Sequence, residues 1–347
     1  MVHTRVCNLW WLEPPPLLWV LVGLLLTGCT APGEPIEAHA QALRSRPASV
    51  VLSDTAELPL ARGRVVIQGG WGAAPGQFGK RDEASRPGPM GLAVSGAGEI
   101  LILDQVNRRV QRFDSGGNPV GQIAIASEAT EDIALSSDGS WLWALVSEPG
   151  GFRLERYPVL EASPASVIPL SRSIQLATGV FVDGADVWIE QRHDLQTRVV
   201  AGERALPPDA QRHDVLGRPD RSAPGRRLSA ARTGPRRARV LRVAPGDTTW
   251  PIVDVTTPLP LAIQELASDR GGRVFLGLHL GRPEPDGSLS HARRVMVVLE
   301  GGQARSVELA VAMATDAFRP LAVSADGAIH QLQTTEEGVT VRRWRLR

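Results

Sequence analysis

A short strand–turn–strand unit returns along this chain at a regular interval, and that period restricts the folds open to it more than any other feature. The clearest copy reads PMGLAVSGAGEILILD from Pro89 and continues QVNRRVQRFDSGG to Gly117. Strands are expected at 91–94, 99–104 and 109–114, with a fourth at 120–125, because each is a short apolar or alternating run bounded by turn-formers. The turns at 95–98 and 115–118 carry glycines, which reach positive φ without steric cost. Weaker copies follow: DIALSSDGSWLW from Asp132, RLERY from Arg153, GVFVDGADVWI from Gly179 and LASDRGGRVFL from Leu266. The last is PLAVSADGAIHQL from Pro320, with its third strand at 339–346. Between 205 and 250 the unit is degraded, although 239–243 and 248–255 still read as strands.

The spacing gives six units of about 40–50 residues, the period of a propeller blade. The mature chain carries no convincing amphipathic helix, so the expected class is all-β, a six-bladed β-propeller over 61–347. Ring closure can be read from the ends. The final unit runs out of chain after its third strand, whereas RVVIQ, starting at Arg64, precedes the first unit and has no blade of its own. If that N-terminal strand completes the last blade, the ring is latched and no long edge is exposed. An open solenoid would leave the two segments far apart.

Three stretches carry a family likeness. GGWGAAPGQF from Gly69, GLAV from Gly91 and NRRVQRFD from Asn107 together resemble an NHL repeat, with a specific match over roughly 69 to 117 and a loose one elsewhere. Two departures stand out: Ser95 occupies a place where the family usually has Asp, and ten or so residues are inserted between Phe78 and Pro89. The resemblance implies an NHL-like propeller. Most such propellers are platforms for proteins, peptides or sometimes RNA, and fold likeness extends to propeller lyases and lactonases with a metal in the central channel. Fold alone does not choose between these.

The N-terminus points to export. Leu17 to Leu26 is an uninterrupted apolar run of ten residues, followed by Thr27, Gly28 and Cys29. Ten residues are too few to cross a bilayer core, which takes roughly 20 in a helix, but they match the hydrophobic region of a secretory signal. Leu26-Thr27-Gly28-Cys29 resembles the bacterial lipobox, which implies cleavage before Cys29 and lipid attachment to it. The expected organisation is a lipoprotein signal peptide at 1–28, a flexible tether at 29–60 and the propeller beyond. Thr30, rather than Asp, follows the cysteine, and by resemblance this favours the outer membrane, facing periplasm or exterior. The chain has two cysteines, and Cys7 would leave with the signal, so the mature domain must be held by its core rather than by disulfides.

The chemistry on offer is sparse. A channel enzyme needs His, Asp or Glu side chains converging from several inner strands, and those strands (91–94, 132–135, 179–182, 266–268 and 321–324) read as mostly apolar or small, with Asp132 the one plausible axial ligand. His193-Asp194 and His213-Asp214 are sequence neighbours whose side chains diverge on a strand, and they read as surface loop residues. No catalytic, cofactor-binding or metal-binding set is therefore expected. The segment 212–242 holds ten arginines against Asp214 and Asp220. It reads as a solvated insertion in a degraded blade, or else as a patch for an anionic partner. The net charge of +1 gives no global field for nucleic acid, and none is expected as a partner. Trp71, Asn107 and Arg108 should share one face, on loops where binding usually resides; Trp71 and Phe78 could equally wedge neighbouring blades. Trp141, Trp143 and Trp188 fall in second strands, where packing is the default. The expected function is a lipid-anchored, non-enzymatic module that binds a protein, peptide or cell-envelope component. The alternative is a metal-dependent hydrolase or lyase with a central-channel site.

Overall fold

The computed structural model describes residues 47–345 apart from 53–62, 84–85, 137, 162–163, 192–194, 212–213, 247, 285–288 and 312. Signal peptide, Cys29 and most of the expected tether lie outside the described residues, as do His193, Asp194 and His213. Six small sheets succeed one another along the chain, their strands antiparallel and in sequence order from the axis outward except for an N-terminal strand added at the outer edge of blade four and of blade six. Blade one comprises Gly91–Val94, Ile100–Asp104, Arg109–Phe113 and Pro119–Ala124. Those bounds match the expected strands to within a residue, because the glycine turns on either side set the register. Inner strands of neighbouring blades touch in turn round the ring, and Gly91 of blade one bridges Arg319 at the start of blade six.

Closure is by the expected latch. Arg64–Gly70 pairs antiparallel with Gly338–Trp344, running from Arg64 opposite Arg343 to Gly70 opposite Gly338. Gly338, at φ +148, lies so close to the latch that an added Cβ would sit 2.2 Å from the Gly69 carbonyl oxygen. On the other side of the latch the blade-one turn presses Gly117, at φ +94, against the Val66 carbonyl. Val66, Ile67 and Phe78 then join Leu92, Ile102, Phe113, Leu332 and Val341 in one core between blades six and one.

Two segments depart from expectation. The degraded stretch is blade four itself, with an inner strand of only two residues, Arg218–Pro219, followed by Arg227–Gly234, Arg237–Val243 and Thr249–Thr256. The nine arginines from Arg218 to Arg242 are thus distributed through a blade and are no solvated insertion. Their abundance hid the pattern, since Ala230, Ala238 and Val240 still bury the alternate positions. Likewise, Ala48–Val51, within the span read as flexible tether, forms a fifth, parallel strand on the outer edge of blade four. Val50 and Leu52 are buried in the seam between blades four and five, and Val51 faces solvent. An outer edge with unpaired backbone groups supplies hydrogen-bond partners that a four-residue strand lacks by itself.

Candidate functional site

The chain enters every inner strand at one face of the ring, the entry face, and turns into the second strand at the opposite, exit face. The expected site residues lie on the entry face. Trp71 and Asn107 line one hollow of about 470 Å³ together with Gly79, Lys80 and Val106. Arg108 stands next to it in the left-handed region (φ +51) at the end of a short 3-10 turn, paired with Glu128 at 2.9 Å. All three are bound into the scaffold. The Trp71 indole N–H donates to the Glu336 carbonyl at 2.9 Å, and Lys80 sits 5.6 Å from its ring. Asn107 donates to the Gly72 carbonyl and to Asp104.

Beneath this hollow, fully buried Asp104 accepts from the Gly79 backbone, Asn107, Arg109 and Gln111. Arg109 extends across to the carbonyls of Ala73, Ala74 and Gln77. Asp104, Asn107 and Arg109 therefore staple the 71–79 loop onto blade one. Phe78 stacks 6.2 Å from Phe113 beneath them.

On the axis lies a cluster that the sequence reading missed. Asp132 had appeared to be the one charged group there, yet three guanidinium groups meet three carboxylates. Arg218 makes a two-pronged contact with Glu190, at 2.5 and 2.9 Å, and a third hydrogen bond to Glu265 at 2.8 Å. Arg319 crosses from blade six to blade two, lying 3.2 Å from Asp132 and donating to the Ile133 carbonyl. Arg221 donates to the Val323 carbonyl at 2.5 Å. Phe181 stands between the first two arginines, 4.5 Å from Arg218 and 5.2 Å from Arg319.

These groups shift one another's protonation. Burial pushes the Asp132 carboxyl up to about 6 against the pull of Arg319, and pushes Glu265 up against the pull of Arg218. Burial lowers Arg221. For Arg218 burial acts in the same direction, but Glu190 and Glu265 outweigh it and the guanidinium is held charged. Asp132 Oδ1 and Arg319 Nε are buried without a partner. Two signals were missed. Glu190 reaches the axis from a second strand, and Arg218 sits in the shortest inner strand, whose register was unreadable. Among the described residues no group of three or more His, Cys, Asp or Glu side chains is placed to hold a metal ion.

A second hollow, of about 690 Å³, opens on the exit face across the first turns of blades five, six and one. Asp269, Arg270 and Arg273 come from blade five, Asp326, His330, Arg343 and Arg345 from blade six, and Ser95 and Ser115 from blade one. Asp269 holds Arg273 at 2.6 Å, and Asp326 holds Arg345. His330 is 2% exposed and neither ring nitrogen makes a hydrogen bond of full geometry. Burial, with Arg343 beside it, pushes its imidazole down to about 4.

No protein-family model matches this chain, and no curated protein matches it in sequence. Solved structures do share its fold. A chain of the Mitotic Checkpoint Complex is similar with a TM-score of 0.50 at 13% identity, over 85% of this chain and 98% of that one. Kuenenia stuttgartiensis hydrazine synthase gives 0.46 at 12% identity, over 79% and 90%. A functionally unknown protein from Desulfotomaculum acetoxidans DSM 771 gives 0.45 at 12%, over 76% and 87%. At these identities the likeness is one of fold.

Proposed function

We propose that this protein is an exported lipoprotein, anchored through Cys29, whose NHL-like propeller is a binding module for a protein, peptide or cell-envelope component. One observation carries the binding reading: the axis is filled by the chain's own ion pairs, Arg218 between Glu190 and Glu265 and Arg319 on Asp132, whereas the open hollows lie on the two faces. A plug of opposite charges, each hydrogen-bonded to the next, costs several kcal/mol to open, so ligands meet this ring at its faces. Rigid strands with loops gathered at both ends are the usual setting for recognition. The likeness to a chain of the Mitotic Checkpoint Complex is in keeping with a ring of this kind working inside a protein assembly.

Capture from detergent-solubilised membranes, comparing the wild-type chain with Cys29→Ala, tests both halves. A wild-type protein in the membrane fraction, a mutant released from it and one reproducible co-purifying component are expected. A mutant that stays in the same fraction would overturn the anchor. Tightly held stoichiometric metal in the purified protein would overturn the binding reading in favour of a hydrolase or lyase.

A further inference from the structure

We propose that the exit-face hollow across blades five, six and one is a binding site for a phosphoryl group. The inference rests on the binding reading above and deepens it by naming a site and a ligand class. The arginines of this hollow divide into two sets. Arg273 and Arg345 are neutralised locally, by Asp269 and Asp326, and Glu300 is occupied by Arg305. Arg270 and Arg343 remain, with no carboxylate within ion-pair distance among the described residues, although Arg343 also donates to the Ser115 carbonyl at 3.2 Å. They come from different blades and line the same space.

Between them stands His330, 2% exposed, whose ring nitrogens make no hydrogen bond of full geometry although the Ala328 backbone acts on the ring. A neutral imidazole carries one N–H, which is therefore open to a better-placed acceptor. An anion in the hollow would supply that acceptor and offset the two surplus positive charges together. Three donors from two blades suit a phosphoryl group better than a carboxylate, because it presents three oxygens rather than two, and guanidinium forks match phosphate geometry. Burial above all, with Arg343 and Arg345 beside it and against the pull of Asp326, disfavours the charged form of His330.

The phosphoryl group could belong to a soluble ligand or to a lipid headgroup. Ala48–Val51 runs parallel to the outer strand of blade four, whose own N-terminal end lies at the exit face, so the strand's N-terminal end points toward the face that carries the hollow.

The test follows the His330 ring signals by NMR in the mature, detergent-solubilised protein, with glycerol phosphate, inorganic phosphate and acetate as probes. Both phosphates should move the His330 signals and raise its pKa from about 4, with acetate at least about tenfold weaker. Arg343→Gln and Arg270→Gln should each weaken phosphate binding about tenfold, the loss of one charged hydrogen bond. Arg270 is exposed, so its variant reports on binding without a folding penalty. Flotation of a Cys29→Ala chain with phosphatidylcholine vesicles, with and without phosphatidylglycerol, separates the sources. Recruitment by phosphatidylglycerol marks a headgroup site, and soluble phosphate binding without recruitment marks a solute site. Unmoved His330 signals together with unchanged affinity in both arginine variants would overturn the site. The membrane fraction and co-purifying component of the wild-type protein would be untouched by that result, so the broader reading would stand or fall separately.

Discussion

Arg218 is the side chain whose removal should be felt most. It hydrogen-bonds Glu190 and Glu265, both essentially buried, and its loss removes a charged partner from each. Arg218→Met is expected to destabilise the fold by about 3–5 kcal/mol, read from the urea midpoint. An unchanged midpoint would show that the two acids are accommodated without it, by taking up a proton or through their other partners. Asp132 leads to a pH prediction. Its folded pKa of about 6 lies above the ordinary 3.8, so the folded state holds the proton over a window in which the unfolded chain has released it. Stability should therefore fall as pH rises from about 4 to 6, by no more than ~3 kcal/mol, and level off above that. Asp132→Asn should reduce that slope in denaturation series, leaving the contributions of Glu131, which burial also pushes to about 6, and of Glu265, which burial raises too. Of these axial residues only Asp132 was legible in the sequence. Arg218 stood in a run of arginines with nothing to single it out, and Glu190 lies on a strand whose neighbours, Trp188 and Ile189, announce packing.

Among the elements, the glycine-bounded strands were readable because turn chemistry fixes the register of each hairpin. The latch was readable for a different reason: a strand without a blade at one end of the chain answers a blade without a strand at the other. Blade four was obscured because its inner strand is two residues long and its second and third strands carry arginine on their solvent sides. The strap at Ala48–Val51 gave no signal, since four residues make no pattern and its stability comes from the edge it joins. Leu52→Ala should cost about 2 kcal/mol through lost burial in the seam of blades four and five, with Val51→Ser close to neutral, as thermal unfolding would register. Equal effects would mean the strap does not dock in this register. Gly338→Ala places a methyl into the Gly69 carbonyl and a side chain at unfavourable φ, so a loss of more than ~1 kcal/mol is expected from the latch.

On the scale of the whole molecule, the two faces differ in kind. On the entry face Trp71, Asn107 and Arg108 are hydrogen-bonded or ion-paired to neighbouring loops. The exit face keeps arginines and a histidine with unmet hydrogen-bonding capacity. In sequence, the aromatic and polar loop residues of the entry face look the same whether they hold a loop or a ligand, and the structure adds their partners within the scaffold. The proposed anchor is the lipobox-like stretch Leu26 to Cys29, and the most direct measurement of it is the intact mass of the protein purified from its native membrane. A chain lacking residues 1–28 and carrying a diacylglyceryl group on Cys29 is expected. A chain that retains those residues, or that begins elsewhere with Cys29 unmodified or absent, would contradict the lipid-anchored reading.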